Sequence, residues 1–184
     1  MTSNASASAP GNGRRRHGTT VYLGLGSNLG ARRAFLLAAV AAMGAREGIV
    51  NARVSKLYET DAVTDEAQPA YLNAVLRGQT PLTAPELLEL CSTIEAGLGR
   101  VRPRDGRKVA RPIDIDILLY GAEVVDLPKL QIPHPRMLER PFVLIPLADV
   151  AEPGLLHPLT GTDLTKAEPS PQVLPFETRG EWPA

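Results

Sequence analysis

The run Pro112-Ile-Asp114-Ile-Asp116-Ile-Leu-Leu-Tyr120 restricts this chain more than any other segment. Its apolar residues mark a central strand, and a side-chain period of two sets Asp114 and Asp116 on one face with Ile113, Ile115 and Ile117 on the other. A central strand carries two acids only where a cation or a hydrogen-bond donor meets them. Their Cα atoms should lie about 6.5 Å apart, close enough for both carboxylates to reach one small cluster of hard cations. Immediately upstream, Arg100 to Arg111 holds six basic side chains and one acid, and five of the six are arginine. Guanidinium forks suit bidentate contact with phosphate and offset charge during phosphoryl transfer. Together the two segments read as a place to hold metal and polyphosphate, against the plainer alternative of a charge-paired strand face beside a solubilising loop.

The rest of the chain restricts function mainly by exclusion. Lys and Arg number 20 and Asp and Glu number 20, so no global field points to nucleic acid or membrane. Cys91 is the one cysteine, which excludes an intrachain disulfide and all-Cys metal sites and fits a reducing, cytoplasmic setting. No apolar run approaches the roughly 20 residues that span a bilayer. Residues 1–19, rich in Ser, Ala, Asn and Gly, read as a disordered tail, and 166–184, with their prolines and scattered charges, as a second flexible tail. A single domain over 20–165 is expected between them.

Within that body, Thr20 to Gly26 reads as a strand entering the glycine turn Gly24-Leu-Gly26-Ser-Asn28-Leu-Gly30. Residues 31–43 follow with Phe35, Leu36, Ala39, Val40 and Met43 at helical spacing. A less clearly patterned strand is expected near 50–59 and another over Tyr71 to Arg77. Thr83 and Glu86 form a capping box opening a helix whose apolar face is Leu87, Cys91, Ile94 and Leu98, closed by Gly99. With the Asp-bearing strand next, the order is β-α-β-β-α-β, the ferredoxin-like α+β arrangement of helices on one face of a mostly antiparallel sheet, with a C-terminal extension from about 121.

Three smaller features bear on ligands. Tyr71 and Asn73 share a side of their strand, a flat ring beside an amide that both donates and accepts, which suits a planar heterocycle. His134, between Pro133 and Pro135, sits on stiff backbone where it could meet an anion. The glycine turn only loosely matches the dinucleotide fingerprint, since its third glycine comes one place late, and it lacks the Lys-Ser/Thr ending of a Walker A loop. Tight packing where a strand turns into a helix is its default reading.

Read together, these motifs resemble the 6-hydroxymethyl-7,8-dihydropterin pyrophosphokinase family. The resemblance runs from about Val21 to Leu159 through Gly26-Ser-Asn-Leu-Gly30, Tyr58-Glu-Thr60, Gln68-Pro-Ala-Tyr-Leu-Asn-Ala74, Ile94-Glu95, Gly99-Arg-Val-Arg102, Arg111-Pro-Ile-Asp-Ile-Asp-Ile-Leu118, Ile132-Pro-His-Pro-Arg-Met137 and Glu139-Arg-Pro-Phe-Val-Leu-Ile-Pro-Leu147. It implies transfer of pyrophosphate from ATP to the pterin hydroxymethyl group, releasing AMP, in folate biosynthesis, with two Mg2+ ions. Carried onto this sequence, it gives Asp114 and Asp116 as metal ligands and, with Arg100 and Arg111, as the catalytic group. Glu95, Arg100, Arg102, Arg107, Arg111, Ile115, His134 and Arg140 would face ATP. Thr60, Asp61, Val63, Tyr71, Asn73 and Phe142 would face the pterin, with Tyr71 and Phe142 on its two sides. The expected partners are these small molecules alone, with no nucleic acid or membrane, and the expected state is a monomer.

The chain also departs from the family pattern. Arg107-Lys-Val-Ala-Arg111 stands where the family usually has Arg-Trp-Gly-Pro-Arg, which implies altered loop closure. Asp61-Ala-Val-Thr64 replaces a proline- and glycine-favouring stretch, implying a less rigid pterin-side loop, and Leu138 replaces a residue that is polar in many members. A catalytically weakened relative, another Mg-dependent phosphotransferase and a ferredoxin-like RNA-binding module are the competing readings. The last would need exposed aromatics where this chain places aspartates.

Overall fold

The computed structural model describes residues 18–45, 48–62, 68–101, 103, 109–176 and 182–183. The first strand, β1 (Thr19–Ser27), leads through the glycine turn into α1 (Arg32–Ala45). Gly30 makes that turn possible by taking a φ of +63°, a left-handed conformation costly for other residues. Two short strands follow, β2 (Val50–Val54) and β3 (Tyr58–Thr60), then β4 (Tyr71–Thr80), α2 (Ala84–Gly97) and β5 (Asp114–Tyr120). The extension contributes the hairpin β6 (Val125–Leu127) and β7 (Leu130–Ile132), a 3₁₀ turn at Met137–Glu139, α3 (Pro141–Val150) and β8 (Leu174–Pro175).

The main sheet runs β5-β1-β4-β3-β8, with β2 also paired to β4, and every pairing is antiparallel. This is the ferredoxin-like order anticipated from the pattern, with the second strand split in two. The split falls at Ser55, whose N–H donates to the Val75 carbonyl at 2.9 Å while its Oγ accepts from the Val75 N–H at 2.9 Å. Strand-like bonding therefore continues through a bend that the sequence pattern blurred.

Alternation along β1 and β5 divides the core. Leu23, Leu25, Ile113, Ile115 and Ile117 pack with Leu36, Ala39 and Met43 of α1 and Leu87, Cys91 and Ile94 of α2. Tyr22, Val75, Leu118 and Leu119 pack on the opposite face with Val143, Leu147 and Val150 of α3. The register of β1 on β5 shifts between Tyr22 and Leu23, which pair with Leu119 and Ile117, so Leu118 is the extra residue of a bulge. Each fully buried leucine here contributes about 1.5–3 kcal/mol. The C-terminal extension thus covers the face that the bare β-α-β-β-α-β pattern leaves open, and the start of α3, at Phe142 and Val143, reaches the end of the sheet where Asp114 and Asp116 emerge.

Residues 166–176, expected within a flexible tail, run back along the sheet edge instead. Val173 is buried, Leu174 and Pro175 pair with β3, and the Phe176 N–H donates to the Leu57 carbonyl at 2.9 Å. Farther along, the Trp182 indole donates to the Ser55 carbonyl at 2.7 Å. The reason is that β3 otherwise presents an unpaired edge, and the scattered apolar residues of this segment cover it. Of the expected N-terminal tail, residues 1–17 lie outside the described residues, while Thr19 already belongs to β1.

Candidate active site

β1 lies between the two strands that carry the anticipated site. Gly26 pairs with Asp114 on one side and with Asn73 on the other. A Cβ at Gly26 would come within 3.4 Å of Asn73 Oδ1, 3.6 Å of the Tyr71 ring and 3.9 Å of Asp114. Glycine here forms a bare floor that lets the amide, the ring and the carboxylate face a common space. That space is a cavity of about 310 Å³ lined by Thr60, Asp61, Tyr71, Asn73 and Phe142 with Asp114 and Asp116. Asn73 Nδ2 donates to Thr60 Oγ1 at 2.8 Å, which orients the amide, and burial pushes the Tyr71 hydroxyl pKa up, keeping it protonated.

A second cavity, about 770 Å³, lies across the carboxylates between the β5 edge, α2 and the β6–β7 hairpin. Asp114, Asp116, Arg100 and His134 line both spaces. Glu95 and Ile115 line only the larger one, whereas Arg111 and Arg140, anticipated on the ATP side, line the smaller one near the carboxylates. The sequence reading missed the far wall of the larger cavity, which includes Leu127, Lys129 and Gln131. Strands of three residues give too short a pattern to announce themselves. Arg102, Arg107 and Val63 lie outside the described residues.

The charges are ordered by a network anchored on α2. Glu95 is buried, and its Oε1 accepts from the Ile115 N–H at 2.8 Å and from Arg100 Nη1. Arg100 also pairs with Asp114 Oδ1, and Arg111 Nη1 reaches Asp114 Oδ2 at 2.9 Å. Burial works against the Arg100 charge, but Asp114 and Glu95 outweigh it and hold its pKa above the usual value. Removing one member of such a buried pair leaves an uncompensated charge, at a cost of about 3–5 kcal/mol.

Asp116 has weaker company. Its Oδ2 stands 3.8 Å from Arg140 Nη1 and 3.9 Å from His134 Nε2. Burial, followed by the neighbouring Asp114 charge, pushes its pKa up to about 6. His134 is set by the β5 bulge, where its N–H donates to the Leu118 carbonyl at 3.0 Å. Its Nδ1 accepts from the Arg136 N–H at 3.2 Å, so the neutral ring carries its proton on Nε2, toward Asp116. Burial and then the Arg140 charge lower its pKa and favour that neutral form. Arg140 lies 5.7 Å from the Phe142 ring centroid, a cation–π distance that joins the charged and aromatic walls.

Among the described residues, no group of three or more His, Cys, Asp or Glu could hold a metal ion. Asp114 and Asp116 offer hard oxygen donors at the junction of the cavities, the donor set Mg2+ accepts when phosphates and waters complete its shell.

Residues 22–152 match the family model for 7,8-dihydro-6-hydroxymethylpterin-pyrophosphokinase (HPPK). The chain belongs to this family. It is 45% identical over 154 residues to the 2-amino-4-hydroxy-6-hydroxymethyldihydropteridine pyrophosphokinase of Methylorubrum extorquens, covering 83% of this chain and 96% of that one. It is likewise 45% identical over 144 residues to the folic acid synthesis protein fol1 of Pneumocystis carinii, covering 78% of this chain but only 19% of that longer protein. A crystal structure of a Plasmodium falciparum HPPK-DHPS triple mutant superimposes with a TM-score of 0.60 at 16% identity, over 82% of this chain and 44% of that one. The structural likeness carries the fold, and the sequence matches carry the family. The HPPK match ends before the segment that pairs with β3, so that edge strap lies outside the matched range.

Proposed function

We infer that this chain transfers pyrophosphate from ATP to the hydroxymethyl group of 6-hydroxymethyl-7,8-dihydropterin, giving AMP and the pterin diphosphate in folate synthesis. The single observation that carries the assignment of substrates to sites is the pair of cavities on either side of one carboxylate strand. The smaller cavity takes the pterin: Tyr71 and Phe142 supply apolar faces, and Asn73, Thr60 and Asp61 meet the polar edge. The larger one takes ATP, its triphosphate turned toward Arg100 and His134. A single domain over about 20–165 carries both, acting as a monomer.

Asp114 and Asp116 would hold two Mg2+ ions, which when bound would supply charge neutralisation on the phosphate oxygens. The chain's own part is positioning. The pterin hydroxyl oxygen bonds to the β-phosphorus, the bond from that phosphorus to the α-phosphate bridging oxygen breaks, and AMP leaves while the hydroxyl proton passes to solvent. Arg100 and Arg111 flank the transferred group and offset its charge, and neutral His134 donates from Nε2 to a phosphate oxygen. Holding the hydroxyl and the β-phosphorus close and aligned supplies the remaining gain. No covalent enzyme intermediate is needed.

Incubation with ATP, Mg2+ and the pterin, followed by nucleotide separation, tests this reading. AMP should form only when pterin is present. ADP as the product, or AMP formed equally without pterin, would overturn it.

At the level of the whole molecule, none of the helices among the described residues is long and apolar enough to cross a membrane. We propose a cytoplasmic location, with which the single buried thiol, Cys91, is in keeping.

A further inference from the structure

The glycine turn, which the sequence left with a packing role, makes connections that packing alone does not require. Asn28 is buried to 1% exposure although its side chain is wholly polar. Its N–H donates to the Arg111 carbonyl at 3.1 Å, and its Oδ1 accepts from the Arg111 N–H at 2.8 Å. From the same amide, Nδ2 donates to Gln68 Oε1 and to the Pro69 carbonyl, each at 3.2 Å. One turn farther on, Arg32 Nη1 donates to the Ala70 carbonyl at 2.7 Å and pairs with Glu59 at 2.7 Å. These partners are the two approaches to the site. Arg111 is three residues ahead of Asp114, and Gln68 to Ala70 lead directly into Tyr71.

We propose that Asn28 is a positioning residue for pyrophosphoryl transfer: its single amide fixes the Arg111 backbone relative to the strand entry that presents Tyr71, setting phosphate-side and pterin-side groups at one spacing. The proposal rests on the substrate assignment above. A planar amide with both ends engaged is a short, stiff link, and buried amides are costly to leave half satisfied. Alanine would remove the side-chain bonds to both approaches, leaving the backbone bond to the Arg111 carbonyl and the Arg32 bond to Ala70. Serine, threonine and aspartate lack the paired donor and acceptor at this reach, so the position asks for asparagine by chemistry.

The test separates the two arms. Pterin binding by calorimetry, which needs no turnover, is measured beside kcat and both KM values for the wild type, Asn28→Ala, Gln68→Ala and the double variant, with thermal midpoints to establish folding. Asn28→Ala should weaken pterin binding about 5- to 20-fold and lower kcat about 10- to 100-fold, with the KM for ATP within about threefold. Gln68→Ala should weaken pterin binding and leave kcat within about threefold. The double variant should bind pterin no worse than Asn28→Ala, because the Gln68 contact runs through the same amide. Additive losses, or a lowered midpoint with wild-type kinetics below it, would overturn the proposal. If Asn28→Ala does not fold, Gln68→Ala and Arg32→Ala carry the test: both must weaken pterin binding while sparing the KM for ATP, and unchanged pterin binding in both overturns it. Failure of the substrate assignment itself would show differently, as absence of pterin-dependent AMP from the wild type.

Discussion

The two cavities share a wall of carboxylates yet are built on opposite principles. The smaller is bounded by strand side chains at alternating positions, Tyr71 and Asn73 on β4 and Asp114 and Asp116 on β5, over the bare floor of Gly26. The larger is bounded by α2 and by a hairpin of three-residue strands, and its order comes from ion pairs running through Glu95 and Arg100. Shape fixes the first, and charge fixes the second. A substitution in one should therefore leave the other nearly intact, except at the shared wall.

The shared wall gives the largest expected effect. Asp116→Ala should reduce turnover on the order of 10³-fold, in line with removal of one preorganised electrostatic contact at a reacting phosphate. Pterin binding in the absence of ATP and metal should stay within a few-fold of wild type, as calorimetry would report. Equal loss of both would mean that the carboxylate serves only to shape the smaller cavity.

Next come substitutions that divide the cavities. Tyr71→Ala and Phe142→Ala should each weaken pterin binding by about 10-fold, the scale of a lost stacking contact of about 1–3 kcal/mol, with ATP affinity unchanged. Lys129→Ala should do the reverse, raising the KM for ATP several-fold without touching pterin binding. Crossed effects would show that the two spaces act as one.

A smaller effect concerns pH. Asp116 has its folded pKa at about 6 against an ordinary 3.8, so the metal-free fold binds the extra proton between those values. The metal-free protein therefore gains relative stability from this group as pH falls through 6, and loses it as pH rises through 6. Mg2+ must displace that proton at low pH, so its apparent affinity should fall by up to tenfold per unit below about pH 6 and level off above pH 7. Asp116→Asn should flatten the profile, and an unchanged profile would assign the titration elsewhere.

The smallest response belongs to a residue outside both spaces. Cys91 is 1% exposed, and burial, with the Glu95 charge behind it, pushes its thiol pKa up to about 12. Thiol reagents at pH 8 should modify it only as fast as the protein opens, with or without ligands saturating either cavity. Rapid modification of the native protein would show that the α2 packing beneath the larger cavity is loose.

The contrast between the cavities also explains what the sequence made legible. Period two was enough to place Asp114 with Asp116 and Tyr71 with Asn73, because a strand converts spacing directly into direction. Capping chemistry announced α2, and the Thr83 N–H does donate to Glu86 Oε2 at 2.7 Å. The larger cavity was harder to see, since Lys129 lies in the tight turn of the hairpin and Gln131 on a strand too short to show a period. Asn28 was legible as part of a turn but not as a link, because its partners lie 40 to 83 residues away in sequence. The run through Leu174 and Pro175 resembled a loose tail by composition, and only the open edge of β3 gave it a structural place.

The most direct test of the shared wall is a crystal structure with Mg2+, the pterin and an ATP analogue that cannot transfer its pyrophosphate. The ring should lie between Tyr71 and Phe142, the nucleotide against the β6–β7 hairpin, and the Asp114 and Asp116 carboxylates between them on the bound ions. A nucleotide seated in the smaller cavity, or carboxylates without metal contact, would contradict the account.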